Sequence, residues 1–148
     1  MDVAVRGYVQ WIARLHGAAA RRQAPGIQVF GAFPFMVAAG RADAWANQHL
    51  FSFDGTVGAP PDAFSVEGQN WGLPVYNWDA LRERHYDWFL GRARRMADLF
   101  DGFRVDHLVG LFRTWVFPFD GRPPHFTPAD EAVQIVQGLS LIHISEPT

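Results

Sequence analysis

The sequence predicts an α/β fold, and three observations lead there. Helical patterns alternate with short strand-like runs in the order helix, strand, loop, helix, strand, which is the alternation of a parallel sheet or barrel. A length of 148 residues allows a single domain. With 49% hydrophobic and 19% charged residues, the chain is too apolar for a disordered polymer and holds enough apolar material for a packed core.

The elements follow in order. Tyr8, Trp11, Ile12, Leu15, Ala18 and Ala19 recur at three- and four-residue steps, so residues 8–22 form a helix with one apolar stripe. Arg21 and Arg22 suit the negative end of its dipole, and Pro25-Gly26 stops it. Residues 26–31, bounded by glycines, make a short strand, and Pro34 interrupts any ladder beyond it. A helical turn is expected at residues 42–45. Residues 51–69 read as a loop, with Asp54-Gly55 as a turn signal and Pro60-Pro61-Asp62 forcing extended backbone. A loop of that length inside a compact domain usually has a function.

Asn77 is placed to cap a second helix over residues 79–100. Leu81, His85, Trp88, Phe89, Ala93, Met96, Ala97 and Phe100 share its apolar face, and Arg92, Arg94 and Arg95 belong to its solvated side. Asp101-Gly102 ends the helix, and residues 103–106 form another short strand. There is no internal repeat.

Composition narrows the function classes. Zero cysteines exclude a disulfide scaffold and a thiolate metal site. A net charge of −2 gives no electrostatic footprint for nucleic acid or an anionic membrane. No apolar run spans a bilayer, no secretory pattern opens the chain, and a cytoplasmic location is expected. None of the six histidines has metal-ligand spacing, His85 is expected to be packed, and no glycine-rich phosphate loop precedes a helix. The chemistry therefore points to neither a metal nor a cofactor. The surplus is aromatic, with 6 Trp and 13 Phe, and it suits either a large core or a site that stacks on flat ligands.

Two stretches carry the chemistry. In Gly102-Phe103-Arg104-Val105-Asp106-His107, strand alternation puts Arg104 and Asp106 on one face and Phe103 and Val105 on the other. Grease on one side packs under the preceding helix, while the other side offers an ion pair. In a β/α barrel, a carboxylate at the C-terminal end of a strand stands where catalytic residues stand. The Arg104 cation favours an ionised Asp106, and an ionised, positioned carboxylate is what a nucleophile at a sugar anomeric carbon requires. The alternative is an ion pair that simply closes a strand end. The second stretch, residues 58–78, sets Phe64, Trp71, Tyr76 and Trp78 among Asp62, Glu67, Gln69 and Asn70. Aromatic faces stack on sugar rings while carboxylates and amides bind hydroxyls. The alternative is a loop whose aromatics pin it to the core.

Taken together, Gly-Ala-Pro-Pro-Asp-Ala-Phe-Ser, Gly-Gln-Asn-Trp-Gly-Leu-Pro-Val-Tyr and Asp-Gly-Phe-Arg-Val-Asp-His-Leu-Val-Gly resemble the amylomaltase family, the 4-α-glucanotransferases or disproportionating enzymes. The resemblance runs over residues 8–131. It implies an incomplete piece of a (β/α)8 TIM barrel with Asp106 as nucleophile, Arg104 as its partner and His107 in the same motif. It implies that Trp71 stands beside the cleavage site. It implies that residues 60–65, with Asp62, Phe64 and Ser65, form a mobile loop over the acceptor side, and that Gln69 and Asn70 belong to the substrate-binding set. The implied partners are maltooligosaccharides or other α-1,4-glucans, and the implied reaction is a retaining double displacement with no cofactor.

Two departures from the family pattern stand out. Ala32 occupies the place of an Asp that in the family touches the donor sugar, and residues 40–45 keep only the later part of their motif. A retaining mechanism also needs a second carboxyl about 5 Å from the nucleophile. The resemblance puts that Glu beyond this sequence, because Asp130 and Glu131 do not match its motif. Residues 139–148 resemble the read-through translation of a sequencing-library adapter. The expected organisation is therefore a partial catalytic barrel over 1–138 with a non-native tail that includes His143. Such a piece is expected to be inactive, and aggregation-prone or partly molten, because open strand edges and uncovered helix faces remain. Two other readings stay open: a catalytically dead glucan-binding protein of the same fold, motivated by Ala32, and a purely structural α/β domain.

Overall fold

The structure is a computed structural model and describes residues 3–128. Asp130, Glu131, His143 and the expected boundary at 138/139 lie outside the described residues. Helix α1 (Val3–Gln23) leads to strand β1 (Phe30–Phe33), the short helix α2 (Ala42–Ala46) and a single 3-10 turn. Strands β2 (Phe51–Ala59) and β3 (Gln69–Tyr76) follow, then helices α3 (Trp78–Glu83) and α4 (Asp87–Leu99). Strand β4 (Gly102–Val105), a second 3-10 turn, and strands β5 (Thr114–Pro118) and β6 (His125–Thr127) complete the order.

Two sheets result. β1 and β4 pair in parallel, with Phe30 opposite Gly102 and Ala32 opposite Arg104. The other sheet is antiparallel in the order β3-β2-β5-β6. The α/β expectation is met in its coarse form, since a parallel pair is packed under α4. The described residues contain two parallel strands and do not by themselves show a barrel. The antiparallel sheet has no counterpart in the sequence expectation.

That sheet overturns the reading of residues 51–69 as loop. Its first nine residues are β2, paired on both sides, and only residues 60–68 connect it to β3. Gly55, read as part of a turn signal, instead lets strands approach, and so does Gly58. A Cβ at Gly58 would fall 1.8 Å from the Gln69 carbonyl oxygen, and one at Gly55 would fall 2.8 Å from that of Phe117. A register shift between Ser52 and Val57 marks the same irregularity.

Other boundaries move for identifiable reasons. The strand expected at 26–31 lies at Phe30–Phe33, because it starts where its partner β4 starts and ends at Pro34. The single helix expected at 79–100 is broken into α3 and α4. His85 and Tyr86 both take left-handed backbone (φ 51 and 55), and the turn between the helices swings the Tyr86 ring into the core while leaving His85 exposed. The packed His85 of the sequence reading is thus replaced by Tyr86. Asn77 does cap α3: its Oδ1 accepts from the Ala80 N–H at 3.2 Å.

The main core gathers Phe33, Phe35, Leu50, Phe51, Tyr76, Trp78, Leu81, Phe89 and Met96, with Trp88 and Phe103 packed against it. Phe89 is fully buried at its centre, which by area alone stabilises by roughly 1.5–3 kcal/mol. A smaller cluster of Val57, Val75 and Val116 lies in the antiparallel sheet. Helix α1 buries none of its residues, so the stripe of Tyr8, Trp11 and Leu15 faces outward.

Candidate active site

The parallel pair builds the site. On its helix side, Phe33 and Phe103 meet at 5.6 Å between ring centroids under Met96 and Phe100 of the α4 region. The opposite side carries Phe30, Ala32 and Arg104 in register, and Asp106 follows where β4 ends. Strand alternation has thus done what the pattern predicted. The Arg104 Nε donates to the Asp106 carboxylate at 2.5 Å, and a guanidinium nitrogen closes the ion pair. Both side chains stay open, at 77% and 59% of their full exposure, so this carboxylate is accessible to a ligand.

His107 stands next, with left-handed backbone at φ 54. Its carbonyl accepts from the Gly110 N–H at 2.8 Å, which closes a tight turn. Its ring is half-buried, its Nε2 is buried without a hydrogen-bond partner among the described residues, and burial holds its pKa below the ordinary 6.5. Burial thus favours the neutral form of the imidazole. Trp71 of β3 meets it edge-on at 4.9 Å. The hairpin that the sequence read as loop is therefore what carries an aromatic wall to the end of β4.

The remaining candidate residues mostly serve the backbone around them. Gln69 accepts from the Trp71 indole N–H at 3.2 Å and so steadies that wall. The Asn70 amide oxygen accepts from the Thr56 hydroxyl at 2.8 Å and from the Gly72 N–H at 2.9 Å. Asp62 caps its own loop, accepting from the N–H groups of Phe64 (2.8 Å) and Ser65 (2.7 Å), while the Ser65 hydroxyl donates to the Gly68 carbonyl at 2.6 Å. Phe64 is 96% exposed at the tip. Among the described residues, no hydrogen bond, ion pair or ring contact joins Asp62, Phe64 or Ser65 to Arg104, Asp106 or His107. The structure therefore brings together Arg104, Asp106, His107, Trp71 and, through Trp71, Gln69.

Sequence reasoning passed over Phe35 and Gly110. The Phe35 ring lies 6.4 Å from that of His107, and a Cβ at Gly110 would meet Phe35 at 2.5 Å and His107 at 2.7 Å. The glycine four residues after the carboxylate was the available signal. Among the described residues, no group of three or more His, Asp and Glu side chains could hold a metal ion. No helix among them is long and apolar enough to cross a membrane.

A family model described as 4-alpha-glucanotransferase matches residues 1–138. The chain belongs to the 4-alpha-glucanotransferase family. A 4-alpha-glucanotransferase of Chlamydia muridarum is 34% identical over 143 residues, which is 95% of this chain and 27% of that relative. The chloroplastic/amyloplastic 4-alpha-glucanotransferase of Solanum tuberosum is 40% identical over 99 residues, 63% of this chain and 17% of the relative. The chain thus spans about a quarter of the Chlamydia relative's length, and less of the plant one.

Solved amylomaltases share the fold. That of Corynebacterium glutamicum aligns at a TM-score of 0.68 and 34% identity, covering 75% of this chain and 16% of its own. The Streptococcus agalactiae amylomaltase in complex with acarbose aligns at 0.65 and 34%, covering 70% and 23%. Within the family, the mixed α/β arrangement described above corresponds to part of a longer chain.

Proposed function

We propose that this chain is a segment of an enzyme that transfers α-1,4-glucan pieces between maltooligosaccharides by retaining double displacement, with Asp106 as the nucleophile. The observation that carries the reading is the Arg104–Asp106 pair, open to solvent at the end of a parallel strand, with Trp71 and His107 beside it. Family membership and the acarbose held by one structural relative support α-glucan as the ligand class.

In the first step, an Asp106 oxygen attacks the anomeric carbon. A carbon–oxygen ester bond forms, the glycosidic bond breaks, and its leaving oxygen takes a proton from a second carboxylic acid. In the second step, the 4-hydroxyl of another sugar attacks the ester, returns its proton to that second carboxylate and frees Asp106. Two inversions preserve the α configuration. Arg104 aims Asp106 through their ion pair, and Trp71 gives a sugar ring an apolar face. The loop over residues 60–68, prefolded by Asp62 and Ser65, presents Phe64 to an acceptor sugar and limits water access. The proton donor of this scheme is a second carboxylic acid that Arg104, Asp106, His107 and Trp71 do not supply.

The test is Asp106→Asn in the full-length protein that carries this segment, assayed for glucose release from maltotriose. Turnover is expected to vanish, and retained disproportionation would remove Asp106 from its role. Ala32 favours a second reading, because it sits opposite Arg104 in register where the family has a carboxylate. A protein that binds maltoheptaose, seen as a Trp fluorescence change, yet releases no glucose would be a binding protein of this fold.

A further inference from the structure

We propose that Arg92 is a positioning residue for the site around Asp106: it clamps the segment after β1, and Phe35 of that segment seats His107. The inference rests on the glucan-transfer reading above.

The sequence placed Arg92 on a solvated helix face, and the structure corrects this. Its side chain is only 16% exposed, whereas Arg94 and Arg95 of the same helix lie open. The guanidinium stacks over Trp88 at 4.5 Å, donates from Nη2 to the Pro34 carbonyl at 2.6 Å, and pairs through Nη1 with Asp43 at 3.3 Å. Its Nε is buried without a hydrogen-bond partner among the described residues. Burying a cation this far costs desolvation that a solvated arginine avoids. What it gains is one fixed carbonyl in the loop after β1.

The next carbonyl is fixed too. The Tyr76 hydroxyl of β3 donates to the Phe35 carbonyl. Burial pushes this phenol's pKa up, so it keeps its proton and remains a donor. Two consecutive peptide groups are thus held by side chains from a helix and from a strand of the other sheet. Phe35 has little freedom left. Its ring stacks on Phe89 at 5.6 Å and 11°, meets Tyr76 edge-on at 5.5 Å, and presses toward His107. Gly110 leaves no room for a larger residue behind Phe35 and His107, and Trp71 stands on another side of the imidazole. His107 is bonded to Asp106, so the seat of its ring constrains the peptide that carries the carboxylate.

The experiment uses the full-length protein that carries this segment, with Arg92→Met, Arg92→Lys and Tyr76→Phe, and Arg94→Met as a control on the exposed face. Two readouts are taken: the His107 imidazole proton resonances, which the Phe35 and Trp71 ring currents displace, and kcat and KM for maltotriose. Arg92→Met and Tyr76→Phe are expected to shift the His107 resonances. They are expected to lower kcat about tenfold with KM nearly unchanged, short of the ~100-fold that a 1 Å misplacement costs. Arg92→Lys should recover part of both, and the control should change neither. If Arg92→Met does not fold, Tyr76→Phe decides, since it removes one hydroxyl and leaves the ring packing. Folded variants with parental His107 resonances and parental kcat would overturn the proposal. Failure of the glucan reading would show separately, as transfer that survives Asp106→Asn, while the His107 resonances still report on the clamp.

Discussion

His107 carries a pH signature of its own. Burial lowers its pKa in the folded chain below 6.5, so the unfolded chain binds more protons in the window between that lowered value and 6.5. Stability therefore rises with pH through the window and is lost as pH falls through it. Urea midpoints measured at pH 5 and pH 7 should show this acid-side loss, and His107→Asn, which tolerates left-handed backbone, should shrink it. A second prediction concerns Ala32, which lies beside Arg104 on the open face. Ala32→Asp in the full-length protein should lower KM for maltotriose, because the family resemblance implies a charged hydrogen-bond acceptor to the donor sugar at this place. An unchanged KM would show that this place makes no sugar contact here. At this scale the sequence was informative where chemistry is local. A two-residue period is enough to put Arg104 and Asp106 side by side. Phe35 and Arg92 escaped because their partners are fixed only by the tertiary fold: Arg92 and Pro34 lie 58 residues apart, and an arginine on a helix reads as solvated by default.

Elements were legible where their punctuation is unambiguous. Asn77 before an apolar run marked a helix start, and the structure has the cap bond there. Asn77→Ala should lower the urea-derived stability by about 1 kcal/mol, the usual worth of such a cap. The break between α3 and α4 was not legible, because Arg84, His85 and Tyr86 contain neither glycine nor proline; burial of the Tyr86 ring overrode propensity. The β2–β3 hairpin was hidden for the opposite reason. Gly55 looks like a turn residue, yet it and Gly58 serve close strand approach. Gly58→Ala tests this directly. A Cβ 1.8 Å from a backbone oxygen cannot be relieved by turning a side chain, so the variant should lose hairpin amide protection and melt several degrees lower.

The described residues expose several large apolar side chains. Tyr8, Trp11, Leu15, Phe30 and Trp45 are all open, and α1 buries nothing. The parallel sheet has only two strands among the described residues, which leaves its outer edges unpaired. The 148-residue chain should bind a hydrophobic dye and self-associate in sedimentation; a dye-silent monomer with a sharp two-state melt would contradict this. Fold class was legible from helix–strand alternation. The antiparallel sheet was not, because the parallel connection between β1 and β4 contains a hairpin as well as helices.

That connection governs the order of assembly. Val29 and Asp101, which clasp the start of the parallel pair, are 72 residues apart along the chain. Closing so long a span costs entropy before any contact repays it, and pairings of this kind form slowly. The hairpin and the paired helices between them can form first from nearby residues. The strand that presents Asp106 would then be stitched in last, so a newly made chain would display that carboxylate only after the walls around it are already standing.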